Sequence, residues 1–250
     1  MLDTVFFTNE LLPALNKGLM VSLALIIPAA TLGFVGGVAL GCARAFGPRW
    51  LRRVGDGYTA LLRGVPLAIQ LMMIYYALPK LGIYFAPYGA ALTAFILCTS
   101  AYQSEYVRGA LLSIRRGQIL AAQSLGFTQW QTILWIVVPQ AARRALPGCG
   151  NEIVYLIKYS SLAYLVTCME LMGEGKVVAS DTFRFTEVFL TVGAYYLVMV
   201  TLASWLLHWL ERRAHIPGFG AAVFLFCGLS EETAEAGGGK RSRGAVKGAS

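Results

Sequence analysis

Lys158 is the residue whose chemistry stands out first, because it lies in a segment, residues 153–169, that is otherwise uncharged and mostly apolar. An ionisable side chain inside a membrane span is costly and by default indicates a functional site. A lysine beside an aqueous cavity, or one whose long side chain reaches the membrane interface, would need no such function. Glu105 presents a similar choice: it could help to set the entry to the following segment, or simply pair with Arg108 at i+3.

Patterns that carry catalysis are missing from the sequence. There is no G-x-x-x-x-G-K-[ST] phosphate loop and no HExxH motif, and the two histidines near the end, His208 and His215, suggest no Ser–His–Asp arrangement. The five cysteines form no CxxC pair, and most lie in or beside apolar runs, where we expect them to be small buried hydrophobes. We therefore expect no enzyme activity, metal or cofactor on this chain alone.

The elements that hold these residues are predicted to lie largely in lipid. Hydrophobic residues make up 57% of the 250-residue chain and charged residues 14%, against about one quarter in an average soluble domain. The first long apolar block begins too late, and is too long, for a cleavable signal peptide. The sequence predicts an all-α integral membrane protein, whose net charge of +8 reflects Lys and Arg on one side of a bilayer rather than nucleic-acid binding.

Five segments are predicted as membrane spans, at about 1.5 Å per helical residue against a hydrocarbon core of about 30 Å. They lie at about residues 18–43, 58–79, 84–105, 151–171 and 187–210. Residues 1–17 are then an external N-terminal segment, 106–150 a cytoplasmic loop, and 211–250 a cytoplasmic, disordered tail. The positive-inside rule favours this arrangement, because a sixth crossing by the uncharged run 117–142 would separate Arg212 and Arg213 from Arg44.

The first predicted span carries Gly33, Gly37 and Gly41 in two overlapping GxxxG units. Such spacing clears one helix face, so that another helix can approach closely. Glycine is also common in membrane helices without that role. The sequence leaves both interpretations open.

The predicted loop contains the stretch RRGQILAAQSLGF, residues 115–127. In a helix, positions spaced at i, i+3, i+4 and i+7 share one face. Two of the four side chains on this face are alanines, so the face is smooth there. Its members are Gln118, Ala121, Ala122 and Leu125. The face suits insertion into a groove on a soluble protein, and it would equally suit a helix that lies flat on the membrane or packs under the spans.

Turn and cap signals divide the loop into two helices. Gly126 offers a C-terminal stop with Phe127 packing beside it. Thr128 is a candidate N-cap for a second, amphipathic helix that runs through Trp130 to residue 138. Pro139 would end or kink that helix.

Four blocks of the sequence resemble the membrane permease subunits of bacterial ABC importers, within them the polar amino-acid uptake branch. RGVPLAIQ at residues 63–70 is similar to R-G-T-P-L-x-x-Q, and AYQSEYVRGAL at 101–111 to A-Y-x-x-E-x-x-R-G-A. GQILAAQSLG at 117–126 resembles the coupling motif G-Q-x-E-A-A-x-x-L-G, and residues 139–162 resemble P-Q-A-x-R-x-x-L-P-x-x-x-N followed by K-D-T-S-L. Leu120 stands where the family usually has Glu, and Tyr159 and Ser160 stand where Asp and Thr are usual.

The resemblance covers residues 18 to about 210 and implies a type I ABC importer transmembrane domain in the bacterial cytoplasmic (inner) membrane. It implies separate ATPase subunits that bind ATP and Mg, a second permease chain (the same or homologous), and a periplasmic or lipid-anchored amino-acid-binding protein. The residues expected to couple to the ATPase are Gly117, Gln118, Ala121, Ala122, Leu125 and Gly126. The candidates for translocation or gating are Arg63, Gln70, Gln103, Glu105, Lys158, Ser160 and Ser161.

The predicted function is therefore that of a permease subunit, which forms the pathway for a polar amino acid and couples it to ATP hydrolysis on a partner chain. The alternatives are an ion-coupled secondary transporter, in which Lys158 and Glu105 serve ion coupling, and a structural subunit of a membrane complex. Paired inverted repeats are typical of secondary transporters, and the two halves of this sequence show no self-similarity.

Overall fold

The chain is helical almost throughout the part that the computed structural model describes, residues 4–214. Its first half contains four helices that serve as landmarks. They are α1 (Leu12–Phe46), α2 (Arg49–Gly64), α3 (Leu67–Met72) and α4 (Pro87–Leu112). A short helix, Thr4–Phe6, and a wide π-helical turn, Phe7–Leu11, lead into α1, and α3 continues through a π turn and a 3₁₀ turn that end at Leu81.

The second half contains two short helices followed by three longer ones, with tighter or wider helical turns between some of them. Its helices are α5 (Arg116–Ser124), α6 (Gln129–Thr132), α7 (Val138–Tyr159), α8 (Leu171–Thr182) and α9 (Phe185–Ala214). A π turn, Ile133–Val137, joins α6 to α7, and a 3₁₀ helix, Ser160–Val166, follows α7.

Helices α1 and α4 form the most extensive helix pair, and glycines allow their close approach. A Cβ added at Gly33 would lie 2.8 Å from Thr99 Cβ, one at Gly41 would lie 2.9 Å from Val107 Cβ, and one at Gly37 would overlap Gln103 Cβ. The glycine spacing therefore serves helix packing, as the first of the two interpretations proposes.

The remaining helices build outward from this pair. Helix α7 packs against α4, α9 packs against α7 and α8, and α8 packs against α1. One apolar cluster, centred on Phe95 and Leu156, joins α1, α3, α4 and α7, and a second, centred on Leu15 and Val188, joins the N-terminal helices to α8 and α9. These contacts bring α4, which carries Gln103 and Glu105, beside α7, which carries Lys158.

Two helical runs within residues 4–214 are long and apolar enough to cross a membrane, namely Phe7–Phe46 and Phe185–Arg213. A third crossing is available if α2 and the run Leu67–Leu81 are taken together as one span. This is fewer than the five predicted spans. Helix α4 falls short in apolar character because polar and charged side chains such as Gln103 and Glu105 occupy its second half.

The span predicted at about residues 58–79 is not one continuous helix. The chain bends by 101° between α2 and the run Leu67–Leu81. Val65 is extended (φ −101°, ψ 129°), as a residue before proline tends to be, and Pro66 begins the new direction. Pro66 is the residue that makes the predicted single span two helical segments.

Pro139 does not end the second loop helix. A π turn precedes the proline, Pro139 lies in the first turn of α7, where a proline is tolerated, and the helix continues to Tyr159. Helix α7 therefore begins inside the segment predicted as a loop. The segment 151–171 also differs from the predicted single span, because α7 gives way to the 3₁₀ helix and Thr167 adopts a left-handed conformation (φ 59°).

The structure describes only part of the C-terminal region for which a last span and a tail are predicted. Helix α9 extends to Ala214, four residues beyond the predicted end of the last span. The remainder of the predicted tail, residues 215–250, lies outside the residues that the structure describes.

Candidate coupling and translocation sites

The predicted turn after the small-faced helix is present, with two hydrogen bonds that close it. The Gly126 N–H donates to the Gln123 carbonyl at 3.0 Å, and the Phe127 N–H donates to the Ala122 carbonyl at 3.1 Å. This pair of bonds is the Schellman arrangement that ends a helix at a left-handed residue. Gly126 has φ +87°, which a side chain would oppose.

Thr128 is the N-cap of the second helix, as its sequence context predicts. Its hydroxyl accepts a hydrogen bond from the Gln131 backbone N–H at 3.3 Å, and its own N–H donates to Gln131 Oε1 at 2.8 Å. This reciprocal capping box satisfies two of the N–H groups that a helix start leaves unpaired. Hydrogen bonds that are local to the loop thus end α5 and begin α6.

The predicted coupling face is divided between the interior and the surface. Ala122 is only 5% exposed, so it turns toward the chain itself, and Gln118 is half-buried. Leu125 is 80% exposed, and Gly117, Ala121 and Gly126 are also exposed. Leu120, at the position where the related family usually has Glu, points outward on the same short helix.

Exposed apolar side chains extend this surface into the second helix. Trp130 is 73% exposed and Trp135 is 72% exposed. A groove of about 540 Å³ lies beside them, lined by Leu125, Gly126, Phe127, Gln131, Trp135 and Ile136. Large exposed apolar areas on a folded protein indicate interaction with another protein or with a membrane.

Glu105 is placed at the centre of a cluster of charges that joins α1, α2 and α4. Its carboxylate lies 2.8 Å from Arg44 Nη2, 3.5 Å from Arg63 Nη1 and 3.8 Å from Arg108 Nη1. The predicted pair with Arg108 is therefore present, although it is the longest of the three contacts. A single carboxylate that faces three guanidinium groups holds the ends of three helices together.

Arg44 is the member of this cluster that the sequence reasoning missed. It is buried, and its guanidinium also contacts the Asp56 carboxylate at 2.8 Å and the Ser104 hydroxyl at 3.1 Å. The available signal was an arginine directly after the GxxxG face, followed by Asp56 as the only acid in a basic segment. Buried arginine requires such partners, because an unpaired buried charge is strongly unfavourable.

Gln70 stabilises the bend between α2 and α3. Pro66 has no N–H, so it cannot donate to the Leu62 carbonyl as the next turn of a helix would. The Gln70 side-chain amide instead donates to the Leu62 carbonyl at 2.7 Å and to the Val65 carbonyl at 2.8 Å. The side chain is buried, so water does not offer an alternative donor.

We expect Gln70→Leu to lower the free energy of unfolding by about 2–3 kcal/mol, because two carbonyls lose their donor at a buried site. Thermal unfolding of the purified protein in detergent would measure the change. Gln123→Leu is the matched control, because Gln123 is exposed and should shift stability by no more than about 0.5 kcal/mol. An unchanged unfolding transition in Gln70→Leu would contradict this role.

Gln103 belongs to α4, and its side chain is fully buried where α4 contacts α7. Its side-chain amide donates to the Cys149 carbonyl at 3.0 Å, and among residues 4–214 its Oε1 has no hydrogen-bond donor. Buried polar atoms are nearly always paired in folded proteins. The contact between α4 and α7 therefore contains one buried acceptor atom without a donor in the described residues.

Lys158 is exposed at the end of α7, and its ammonium lies 5.3 Å from the centre of the Tyr155 ring. No ion pair to Lys158 occurs within the described part of the chain. The neighbouring serines bond to their own helix: the Ser160 hydroxyl donates to the Ile157 carbonyl and the Ser161 hydroxyl to the Lys158 carbonyl. The structure thus shows no contact between this group and Arg63 or Glu105.

Glu170 is a second buried charged side chain, at the start of α8. It has no exposure and forms the N-cap of α8, where it accepts hydrogen bonds from the Met172 and Gly173 N–H groups at 2.9 and 3.0 Å. The hydroxyls of Tyr196 and Ser22 donate to the same carboxylate at 2.9 and 3.4 Å. Glu170 therefore ties α1, α8 and α9 together.

Comparison with known proteins finds a family and several relatives that this chain resembles. Residues 33–216 match the model of the binding-protein-dependent transport system inner membrane component. The glutamine transport system permease protein GlnP of Escherichia coli (strain K12) is 34% identical over 207 residues, which cover 82% of this chain and 94% of the relative. The octopine transport system permease protein OccM of Rhizobium radiobacter is 37% identical over 216 residues, covering 80% and 88%.

The solved structures agree with these relatives. A crystal structure of an amino acid ABC transporter with histidines superposes with a TM-score of 0.78 at 30% identity, over 85% of this chain and 97% of that chain. The MetNI methionine ABC transporter, with a TM-score of 0.71 at 21% identity, shares the fold. The chain therefore belongs to the inner membrane component family of binding-protein-dependent transport systems, and within it to the amino-acid ABC transporter permeases.

Proposed function

We propose that the chain is the permease subunit of an ATP-driven importer of a polar amino acid in the bacterial cytoplasmic membrane. It forms the translocation pathway with a second permease chain, the same or homologous. Two separate ATPase subunits bind ATP and Mg on the cytoplasmic side, and a periplasmic or lipid-anchored binding protein delivers the amino acid. The N-terminus lies outside, the C-terminus lies in the cytoplasm, and five segments of the chain cross the membrane.

The observation that carries this proposal is the exposed apolar surface formed by α5 and the helix that follows it. The surface coincides with the segment that resembles the coupling motif, and it carries no acidic or basic side chain between residues 117 and 142. Leu120 and Leu125 are exposed on this surface, in the segment to which the resemblance assigns the ATPase contact. Docking here rests on shape and apolar contact, which suits an ATPase groove that is itself apolar.

Transport by the reconstituted complex tests the proposal. The permease, its ATPase and its binding protein are placed together in proteoliposomes, and uptake of radiolabelled amino acids is followed with and without ATP. We expect uptake that requires ATP and the ATPase subunit. Uptake by the permease chain alone, driven by an ion gradient, would instead identify a secondary transporter and refute the proposal.

We expect Ala121→Arg to reduce ATP-dependent uptake at least tenfold while leaving membrane insertion unchanged. Ala121 is exposed on the coupling face, so a long charged side chain there blocks docking without disturbing the chain's own packing. Ala122 is unsuitable for this test, because it is buried and a substitution would disturb the fold. Transport and co-purification with the ATPase are the two measurements.

Ser180→Arg is the matched control for that variant. Ser180 is exposed on α8, and the change adds the same side chain to a surface that the proposal keeps away from the ATPase. We expect uptake within twofold of the unmodified protein. Normal uptake and normal ATPase co-purification by Ala121→Arg would show that this helix is not the docking element.

A further inference from the structure

Helix α2 has three faces with different surroundings. Gly55 and Thr59 are buried, so one face packs against the rest of the chain. Trp50, Val54 and Leu61 are 66%, 62% and 64% exposed. They share a second face, because positions four and eleven residues apart in a helix point in nearly the same direction. Helix α2 therefore exposes an apolar stripe beside the face that packs against the protein.

The third face of α2 is basic. Arg49, Arg52 and Arg53 are exposed near the start of the helix, and none of them forms an ion pair within residues 4–214. Arg52 donates one long hydrogen bond, of 3.5 Å, to a backbone carbonyl. The nearest acid on the helix, Asp56, pairs with the buried Arg44 at 2.8 Å instead. The N–H donors of the three exposed guanidinium groups therefore remain available to an external anion.

The contacts of α2 show that it crosses α4 instead of running alongside it. Asp56 pairs with the Arg44 guanidinium, which also contacts Glu105 of α4 at 2.8 Å. Seven residues later, Arg63 lies 3.5 Å from the same Glu105. A helix that ran along α4 would have advanced by about 10 Å between these two contacts. Helix α2 therefore lies across the end of α1 and the second half of α4.

This crossing lies near the cytoplasmic membrane surface in the proposed orientation, with the N-terminus outside. Arg44 is close to the C-terminal end of α1, and the run Leu67–Leu81 leaves α2 at a bend of 101°. Because that run belongs to the second proposed crossing, a helix nearly perpendicular to it lies close to the membrane plane. A helix with an apolar and a basic face binds in this position with its apolar face among the acyl chains.

We propose that α2 is an interfacial helix of the cytoplasmic leaflet, and that Arg49, Arg52 and Arg53 bind the headgroups of anionic phospholipids. Guanidinium groups match phosphate oxygens in charge and in bidentate geometry. Anionic lipids attract basic segments that lie at the membrane surface. A bilayer fits better than an acidic protein surface, because acyl chains cover the exposed stripe while headgroups contact the arginines. The inference goes beyond the proposed transport function and rests only on its orientation.

The fluorescence of Trp50 tests the lipid preference. The permease–ATPase complex is placed in phosphatidylcholine nanodiscs that contain the same fraction of either brominated phosphatidylglycerol or brominated phosphatidylcholine. The difference between the unmodified protein and Trp50→Phe gives the signal of Trp50 alone. We expect brominated phosphatidylglycerol to quench this signal about threefold more strongly, because the basic face concentrates anionic lipid beside it. Equal quenching by the two lipids would overturn the inference.

Two triple variants separate the charge of the basic face from its other properties. Arg49→Gln/Arg52→Gln/Arg53→Gln should make the two brominated lipids quench Trp50 equally. The matched control, Arg49→Lys/Arg52→Lys/Arg53→Lys, keeps the charges and should retain most of the preference. A preference that survives the change to Gln would refute the proposed contact. If the same Gln variant also lost its ATPase, the arginines would instead be assigned to an acidic surface of that partner.

The depth of position 61 tests the placement of α2 in the membrane plane. Leu61→Trp, made in the Trp50→Phe background, moves the tryptophan eleven residues along the same exposed face. We expect bromines near the headgroup end of the acyl chain to quench it more strongly than bromines near the chain terminus. The opposite order would show that α2 enters the bilayer core and would overturn the inference. Neither measurement involves uptake, so either failure leaves the transport function to its own test.

Discussion

Glu170→Ala is expected to lower the free energy of unfolding by about 3–5 kcal/mol, because it removes a buried acceptor of four hydrogen bonds. The change removes the N-cap of α8, which alone contributes about 0.5–2 kcal/mol. It also leaves the hydroxyls of Tyr196 and of the buried Ser22 without their shared acceptor. Thermal unfolding in detergent would measure the effect, together with the yield of intact complex.

Glu174→Ala is the matched control for this variant. Glu174 lies four residues later on the same helix and pairs with Lys17 at 2.8 Å, and Lys17 is well exposed. A pair with an exposed partner contributes no more than about 1 kcal/mol. Equal destabilisation by the two variants would refute the assignment of Glu170 as the hub of three helices.

Gly37→Ala is expected to destabilise the protein by about 1–3 kcal/mol, because the added methyl group overpacks the contact between α1 and α4. The new Cβ would overlap Gln103 Cβ, and it would lie 3.1 Å from the Ser100 carbonyl oxygen. Both neighbours are close to the backbone, so neither can move aside as a flexible side-chain tip could. Unfolding temperature and assembly with the ATPase are the measurements.

The adjacent glycine provides a control with the opposite expectation. A Cβ at Gly36 would lie 3.4 Å from Ser100 Cβ, a distance that small shifts can accommodate. Alanine is favoured over glycine in a helix interior by about 0.8–1.0 kcal/mol. Gly36→Ala should therefore be neutral or stabilising, and a loss of stability equal to that of Gly37→Ala would contradict the close-packing argument.

The sequence predicts best those features that depend on a few neighbouring residues. The left-handed stop at Gly126 and the cap at Thr128 depend on hydrogen bonds within the loop, so local chemistry specifies them. The pairing of Glu105 with Arg108 was likewise predictable from helix spacing. The family resemblance, based on four blocks in order, was also sufficient to identify the family.

Features that depend on packing between distant segments were not predictable in this way. Ala121 and Ala122 lie on the same predicted face, and only contacts of α5 with the following helix decide that one is exposed and the other buried. Glu170 looks like any surface acid until Ser22 and Tyr196, far away in sequence, are placed beside it. Periodicity carries no information about such partners.

The π turn before Pro139 has a mechanical consequence. Because α6, the turn and α7 form one helical run from Gln129 to Tyr159, the run spans roughly 45 Å at about 1.5 Å per residue. The exposed Trp130 stands at one end of the run. The π turn and Pro147, which lies inside α7, are the positions at which its hydrogen-bond ladder is interrupted. We therefore expect a displacement of the tryptophan end to bend the run first at these two positions.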